Sequence, residues 1–167
     1  MEEMRYISLD LSLNHAGYAI WEDSILVHGQ YWNLDKNLSF GDKLAKIEEY
    51  IEYLCELVAP NCLVLEKCAF GAKGNLTKLG AAAGIAHLVA ATAGIPIYEV
   101  ANNSWKKDFT GKGNASKEET LDKAIEMFPL LTAYLYADPA GKYEVADAIG
   151  LGCAWFRKQG GQLNEEE

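Results

Sequence analysis

Four acidic residues stand where carboxylates are costly to place. Asp10 follows the apolar run Tyr6-Ile7-Ser8-Leu9, and Glu66 ends Cys62-Leu63-Val64-Leu65-Glu66. Glu144 and Asp147 lie three apart in Glu144-Val145-Ala146-Asp147-Ala148-Ile149. An ionised carboxylate in such surroundings needs an opposite charge, a metal or several donors to offset its lost hydration. Residues three apart on a helix share a face, so Glu144 and Asp147 point the same way. Asp10 and Glu66 each end a strand. If those strands are neighbours, the two meet at the sheet edge where open α/β sheets build their sites. Four carboxylates gathered there repel one another unless cations sit between them, and an all-oxygen donor set favours Mg2+ or Mn2+. Two such ions about 4 Å apart activate water and stabilise a leaving oxygen in phosphodiester cleavage. Each residue alone has a plainer reading. Asp10 could cap a turn, Glu66 could pair with a lysine, and Glu144 and Asp147 could be a solvated first helical turn favoured by the dipole. The joint pattern carries the chemical reading.

The charge distribution points toward phosphate. The net charge of −9 over 167 residues taken alone argues against nucleic acid. Yet from Lys67 to Lys117 the lysines 67, 73, 78, 106, 107, 112 and 117 are offset only by Glu99 and Asp108. Much of the negative charge sits at the ends, in Glu2-Glu3 and Glu165-Glu166-Glu167. A basic middle on an acidic chain is compatible with a local phosphate-binding face. The plainer alternative is a solvated lysine surface.

The elements that must position these residues are legible from periodicity. Residues 4–11, 17–21 and 25–32 read as strands joined by short turns, an antiparallel meander. Leu44, Ile47, Ile51, Leu54 and Val58 mark an amphipathic helix over 43–58, ended by Pro60. Residues 62–66 read as a strand buried on both faces. Residues 70–75 are a glycine-rich basic loop, 76–93 a small-residue helix, 95–100 a strand and 102–114 a polar loop. Ser116 and Glu119 form a capping box for a helix running to Phe128. The last helix covers 143–158, and the acidic tail 160–167 is expected to be disordered. The expected fold is α/β, with an antiparallel three-strand meander extended by parallel strands through helical crossovers, in a single domain spanning 1–159. No run of 18 apolar residues exists, so no membrane span is expected, and the acidic start does not read as a signal peptide. Cys55, Cys62, Cys68 and Cys153 form no C-x-x-C pair and read as reduced thiols of an intracellular, cytoplasmic protein.

Four ordered segments resemble the RuvC family of Holliday junction resolvases, within the RNase H-like superfamily. They are Ile7-Ser8-Leu9-Asp10 through Gly17-Tyr18-Ala19-Ile20; Leu63-Val64-Leu65-Glu66 with Phe70, Lys78-Leu79-Gly80 and Gly84; Trp105-Lys106 through Gly111-Lys112-Gly113-Asn114-Ala115-Ser116-Lys117; and Glu144-Val145-Ala146-Asp147-Ala148-Ile149-Gly150-Leu151. The resemblance implies an RNase H-like mixed five-stranded sheet, with its first three strands antiparallel, the others parallel, and helices on both faces. It implies a metal-dependent endonuclease cutting four-way junctions and other branched DNA with two Mg2+ ions per site, Mn2+ substituting. Asp10, Glu66, Glu144 and Asp147 are then the metal-binding catalytic carboxylates. Lys117, counted with the catalytic set, and Lys106 lie near the cut phosphate, and Phe70 acts at the junction centre. Lys67, Lys73, Lys78, Lys107 and Lys112 would hold backbone phosphates. Symmetric cutting needs two sites, so a homodimer is expected, with the helix over 76–93 as its interface. His87 on that helix reads as an interface or packing residue, and His15 as a plain turn residue. The chain departs from the family in having Asp10-Leu11-Ser12 for Asp-Pro-Gly, Glu144 for Asp or His, and acidic overall charge. These departures look more like a divergent phage or viral branch of the family, whose members would act in host cytoplasm. Rival readings are an RNase H acting on RNA–DNA hybrids, a non-catalytic junction-binding protein, and an actin-like ATPase. The intact carboxylate set argues against the binder, and the length of the chain against the ATPase.

Overall fold

Strand β1 (Arg5–Leu11) is the spine of the sheet. Its apolar run is buried residue after residue because helices cover both faces of the sheet around it. The computed structural model describes residues 3–68, 76–130 and 140–163. Within them β1 pairs antiparallel with β2 (His15–Glu22), which pairs antiparallel with β3 (Ile25–Asn33). On its other side β1 runs parallel to β4 (Cys62–Glu66), and β4 parallel to β5 (Ile97–Val100). The order is β3-β2-β1-β4-β5, the expected mixed five-stranded sheet. Parallel neighbours need crossovers. Helices α1 (Phe40–Val58) and α2 (Leu76–Ala93) supply them.

The two faces have separate cores. On one, Ile7, Leu9, Leu63 and Leu65 meet Ile47, Ile51 and Leu54 of α1 and Ala82, Ala86 and Val89 of α2. On the other, Tyr6, Trp21 and Val64 lie under α3 (Asn102–Thr110), α4 (Lys117–Met127) and α5 (Lys142–Lys158). Between its charged ends helix α5 is apolar or small except at Asp147, and it is buried along most of its length. Among the described residues no helix is long and apolar enough to cross a membrane.

One polar contact seats α5 on the sheet. The buried Ser8 hydroxyl donates to the Ala148 carbonyl at 2.7 Å and accepts the Trp21 indole N–H at 3.0 Å. Gly152 lies against the same pair, and a Cβ there would sit 2.4 Å from Trp21 Nε1. Ser8→Ala strands a buried indole donor, so it is expected to destabilise the fold by about 1–3 kcal/mol. Urea unfolding of the variant measures this; a change of a few tenths would contradict the assigned role.

Several boundaries differ from the sequence reading. The stretch 102–114, expected to be a polar loop, is helical over Asn102–Thr110, because Trp105 and Phe109, four apart, bury one face in the core. Strand β2 starts at His15, so the turn after β1 is only residues 12–14. Helix α1 starts three residues earlier than expected, where the Ser39 side chain caps Asp42 N–H. It ends at Val58, capped by Ala59, which takes a left-handed conformation just ahead of Pro60. Strand β5 starts at Ile97, two residues later than expected. Cys55, Cys62 and Cys153 are buried, but Cys68 is half-exposed. Leu163, in the expected tail, packs against the core, and residues 164–167 lie outside the described residues.

Candidate active site

The parallel register sets the first two carboxylates. Leu9 pairs with Leu65, so Asp10 and Glu66, the next residues, leave adjacent strands at the same end. On the other side Asp10 pairs with Gly17 of β2. Gly17 faces the first turn of α5, where a Cβ would lie 2.0 Å from the Glu144 carbonyl oxygen. This close approach brings Glu144, and Asp147 one turn on, to the end of β1.

Electrostatics shows that the four share one neighbourhood. Burial pushes the Asp10 carboxyl well above the usual range, and Asp147, Glu66 and Glu144 push it further; Lys117 opposes them. Burial also raises Asp147 to about 6, with Lys106 and Lys117 pulling down and Glu66 and Glu144 pushing up. The structure thus gathers Asp10, Glu66, Glu144, Asp147, Lys106 and Lys117. Lys117 opens α4 behind the Ser116–Glu119 capping box, which forms as expected. Its ammonium lies 5.9 Å from the Tyr143 ring centroid. Lys106 lies 5.6 Å from the Trp105 ring centroid, a cation–π distance.

The remaining predicted residues are more scattered. Lys67, Lys78 and Lys107 are exposed. Lys112 is paired with Glu119, which takes up part of its charge locally. Phe70 and Lys73 lie outside the described residues. His87 contacts Glu99 at 3.3 Å.

Contacts on the carboxylates show what the sequence reading missed. His15 is no plain turn residue: its Nε2 lies 3.1 Å from Glu144 Oε1, and its Nδ1 lies 3.1 Å from Ser12 Oγ. Asn102 Nδ2 and Trp105 Nε1 both donate to Glu66 Oε2 at 2.8 Å. The i, i+4 spacing of Trp105 and Phe109 was the available signal for that helix. Lys43, nearly buried, donates to Asn14 Oδ1 at 2.7 Å and so pins the turn after β1.

A divalent cation fits this donor set by chemistry. The donors are hard carboxylate oxygens, and Asp147 Oδ1 is buried with no hydrogen-bond partner among the described residues. The side chains share a neighbourhood without forming a finished cage. Among the described residues no group of three His, Cys, Asp or Glu side chains is arranged to hold an ion.

A family profile described as Crossover junction endodeoxyribonuclease RuvC matches residues 7–153. The chain belongs to the RuvC family. A RuvC of Parvibaculum lavamentivorans is 31% identical over 168 residues, covering 97% of this chain and 90% of that protein. A RuvC of Cytophaga hutchinsonii is 33% identical over 129 residues, which is 75% of this chain but only 61% of that protein's length. Among solved structures, Thermus thermophilus RuvC in complex with Holliday junction substrate superposes with a TM-score of 0.74 at 20% identity, covering 94% of this chain and 96% of that one. That likeness supports the RuvC fold, with its sheet order and flanking helices.

Proposed function

We propose that this RuvC-family chain is a divalent-cation-dependent endonuclease that cuts four-way junctions and related branched DNA. The observation that carries the reading is the gathering of four carboxylates from β1, β4 and α5 with two lysines at one sheet end, in a member of this family. Asp10, Glu66, Glu144 and Asp147 would hold the cations, Mg2+ or Mn2+, two per site. Cations bound there would make a water more acidic and offset charge on the leaving oxygen. The protein's own side chains do the rest. Lys106 and Lys117 neutralise the phosphate that enters among the carboxylates and so lower the repulsion that would otherwise exclude DNA. Lys67, Lys78 and Lys107 contact flanking phosphates and position the duplex arms without reading bases. His15 steadies Glu144, and Lys43 steadies the turn that leads into His15.

Two cuts per junction call for two sites, hence a homodimer. Helix α2 supports that reading. It buries Ala82, Ala86, Val89 and Ala90 against its own core and turns Gly80, Gly84 and Ala91 outward, with Leu88 at 53% exposure among them. Such a face permits close approach of a second helix.

Lys106→Ala is expected to weaken junction binding and to reduce the slope of log affinity against log salt by about one. Fluorescence anisotropy over a salt series measures it, and an unchanged slope would contradict the phosphate role.

A further inference from the structure

Helix α3 sets two donors on a single carboxylate oxygen. The Asn102 amide and the Trp105 indole both reach Glu66 Oε2 at 2.8 Å. The indole N–H is donor only, so this contact has one polarity. Trp105 is 1% exposed and wedged in place, since a Cβ on Gly150 would lie 2.7 Å from its ring. Glu66 pairs with Val100 of β5, and α3 begins two residues later, so strand end and helix start are tied by a short stretch of backbone. A glutamate beside three other carboxylates would otherwise rotate away from them, because like charges repel. Two fixed donors on one oxygen hold it against that repulsion.

We infer that Asn102 and Trp105 are positioning residues for Glu66, clamping Oε2 so that its other oxygen is presented to a divalent cation. The inference rests on the cation-dependent reading given above. Carboxylates that hold a metal are themselves held by hydrogen bonds, and loss of such a partner costs about 10- to 100-fold in metal affinity. The same helix carries Lys106 over the Trp105 ring. One rigid piece therefore fixes both a cation-binding carboxylate and a phosphate-facing lysine.

The test uses the full chain with Trp105→Phe, which keeps the ring and removes the N–H, and Asn102→Ala at a half-buried position where folding is least at risk. Mg2+ affinity by calorimetry is expected to fall about 10- to 100-fold in each variant. Junction affinity in EDTA and the cooperative unfolding of Asn102→Ala should match the parent, which general damage to the fold would not allow. In 15N spectra of the parent, the indole signal that Trp105→Phe removes should be the one that moves most on Mg2+ addition. The inference is overturned if Glu66→Gln weakens Mg2+ binding while both positioning variants bind like the parent. If instead the parent binds no Mg2+ and Glu66→Gln changes nothing, the cation-dependent reading itself falls, and the clamp with it.

Discussion

Asp10→Asn is expected to abolish Mg2+-dependent nicking of a synthetic four-way junction, by a factor on the order of 10³ or more, while leaving junction binding intact. Asp10 lies one residue before the end of the central strand, pairs with Gly17 of β2, follows the last residue paired with β4, and feels all three other carboxylates. The same substitution should raise the melting temperature of the protein in EDTA, because it removes one of several mutually repelling, partly buried charges. The pH dependence has a definite sign. Asp147 is raised from an ordinary 3.8 to about 6, so the folded chain holds its proton where the unfolded chain has lost it. Stability from this group therefore falls as pH climbs through that interval, and the penalty is complete above it. Asp10 is shifted in the same direction. In EDTA the parent should melt at a lower temperature at pH 8 than at pH 5 relative to Asp10→Asn, a difference that thermal scans at the two pH values would resolve. Full nicking by Asp10→Asn would remove this residue from the site.

Gly17→Ala is expected to damage fold and site together. Its Cβ would lie 2.0 Å from the Glu144 carbonyl oxygen and 2.2 Å from the carbonyl carbon. Both are backbone atoms, so no side chain can rotate aside. Either β2 or the first turn of α5 must retreat, and retreat of α5 carries Glu144 away from Asp10. Overpacking of this kind costs about 1–3 kcal/mol or more. Cleavage should fall more steeply than stability, since the displaced turn carries one carboxylate directly and Asp147 one turn later. Gly41→Ala is the matched control, because nothing lies within 4 Å of a Cβ there. Urea unfolding and junction cleavage on both variants check the expectation; equal behaviour of the two would contradict the close packing of β2 on α5.

The carboxylate set was legible in the sequence only as a joint pattern. Each member alone has a plainer reading, but two strand-end acids together with an i, i+3 pair on a packed helix share no plain one. Element type followed from periodicity, and β4 and α2 match their expected limits residue for residue. Helix α3 was hidden because Asn102, Asn103, Lys106, Lys107 and Asp108 give it a polar composition, and only Trp105 and Phe109 report its buried face. The clamp on Glu66 was hidden with it, since it joins residues 36 and 39 apart in the chain. His15 was read as a turn residue because sequence could not show that β2 starts there and faces α5. Lys112 looked like its neighbouring lysines until Glu119, seven residues on, took it up.

If the carboxylate cluster cuts branched DNA with a divalent cation, substrate shape and cation must both control cleavage. The most direct test compares a four-way junction, a fork, a flap, a linear duplex and an RNA–DNA hybrid side by side, with Mg2+ and with EDTA. The expected result is Mg2+-dependent cutting of the junction ahead of the linear duplex and the hybrid, and none in EDTA. Preferential cutting of the hybrid, or tight junction binding with no cleavage under any cation, would contradict it.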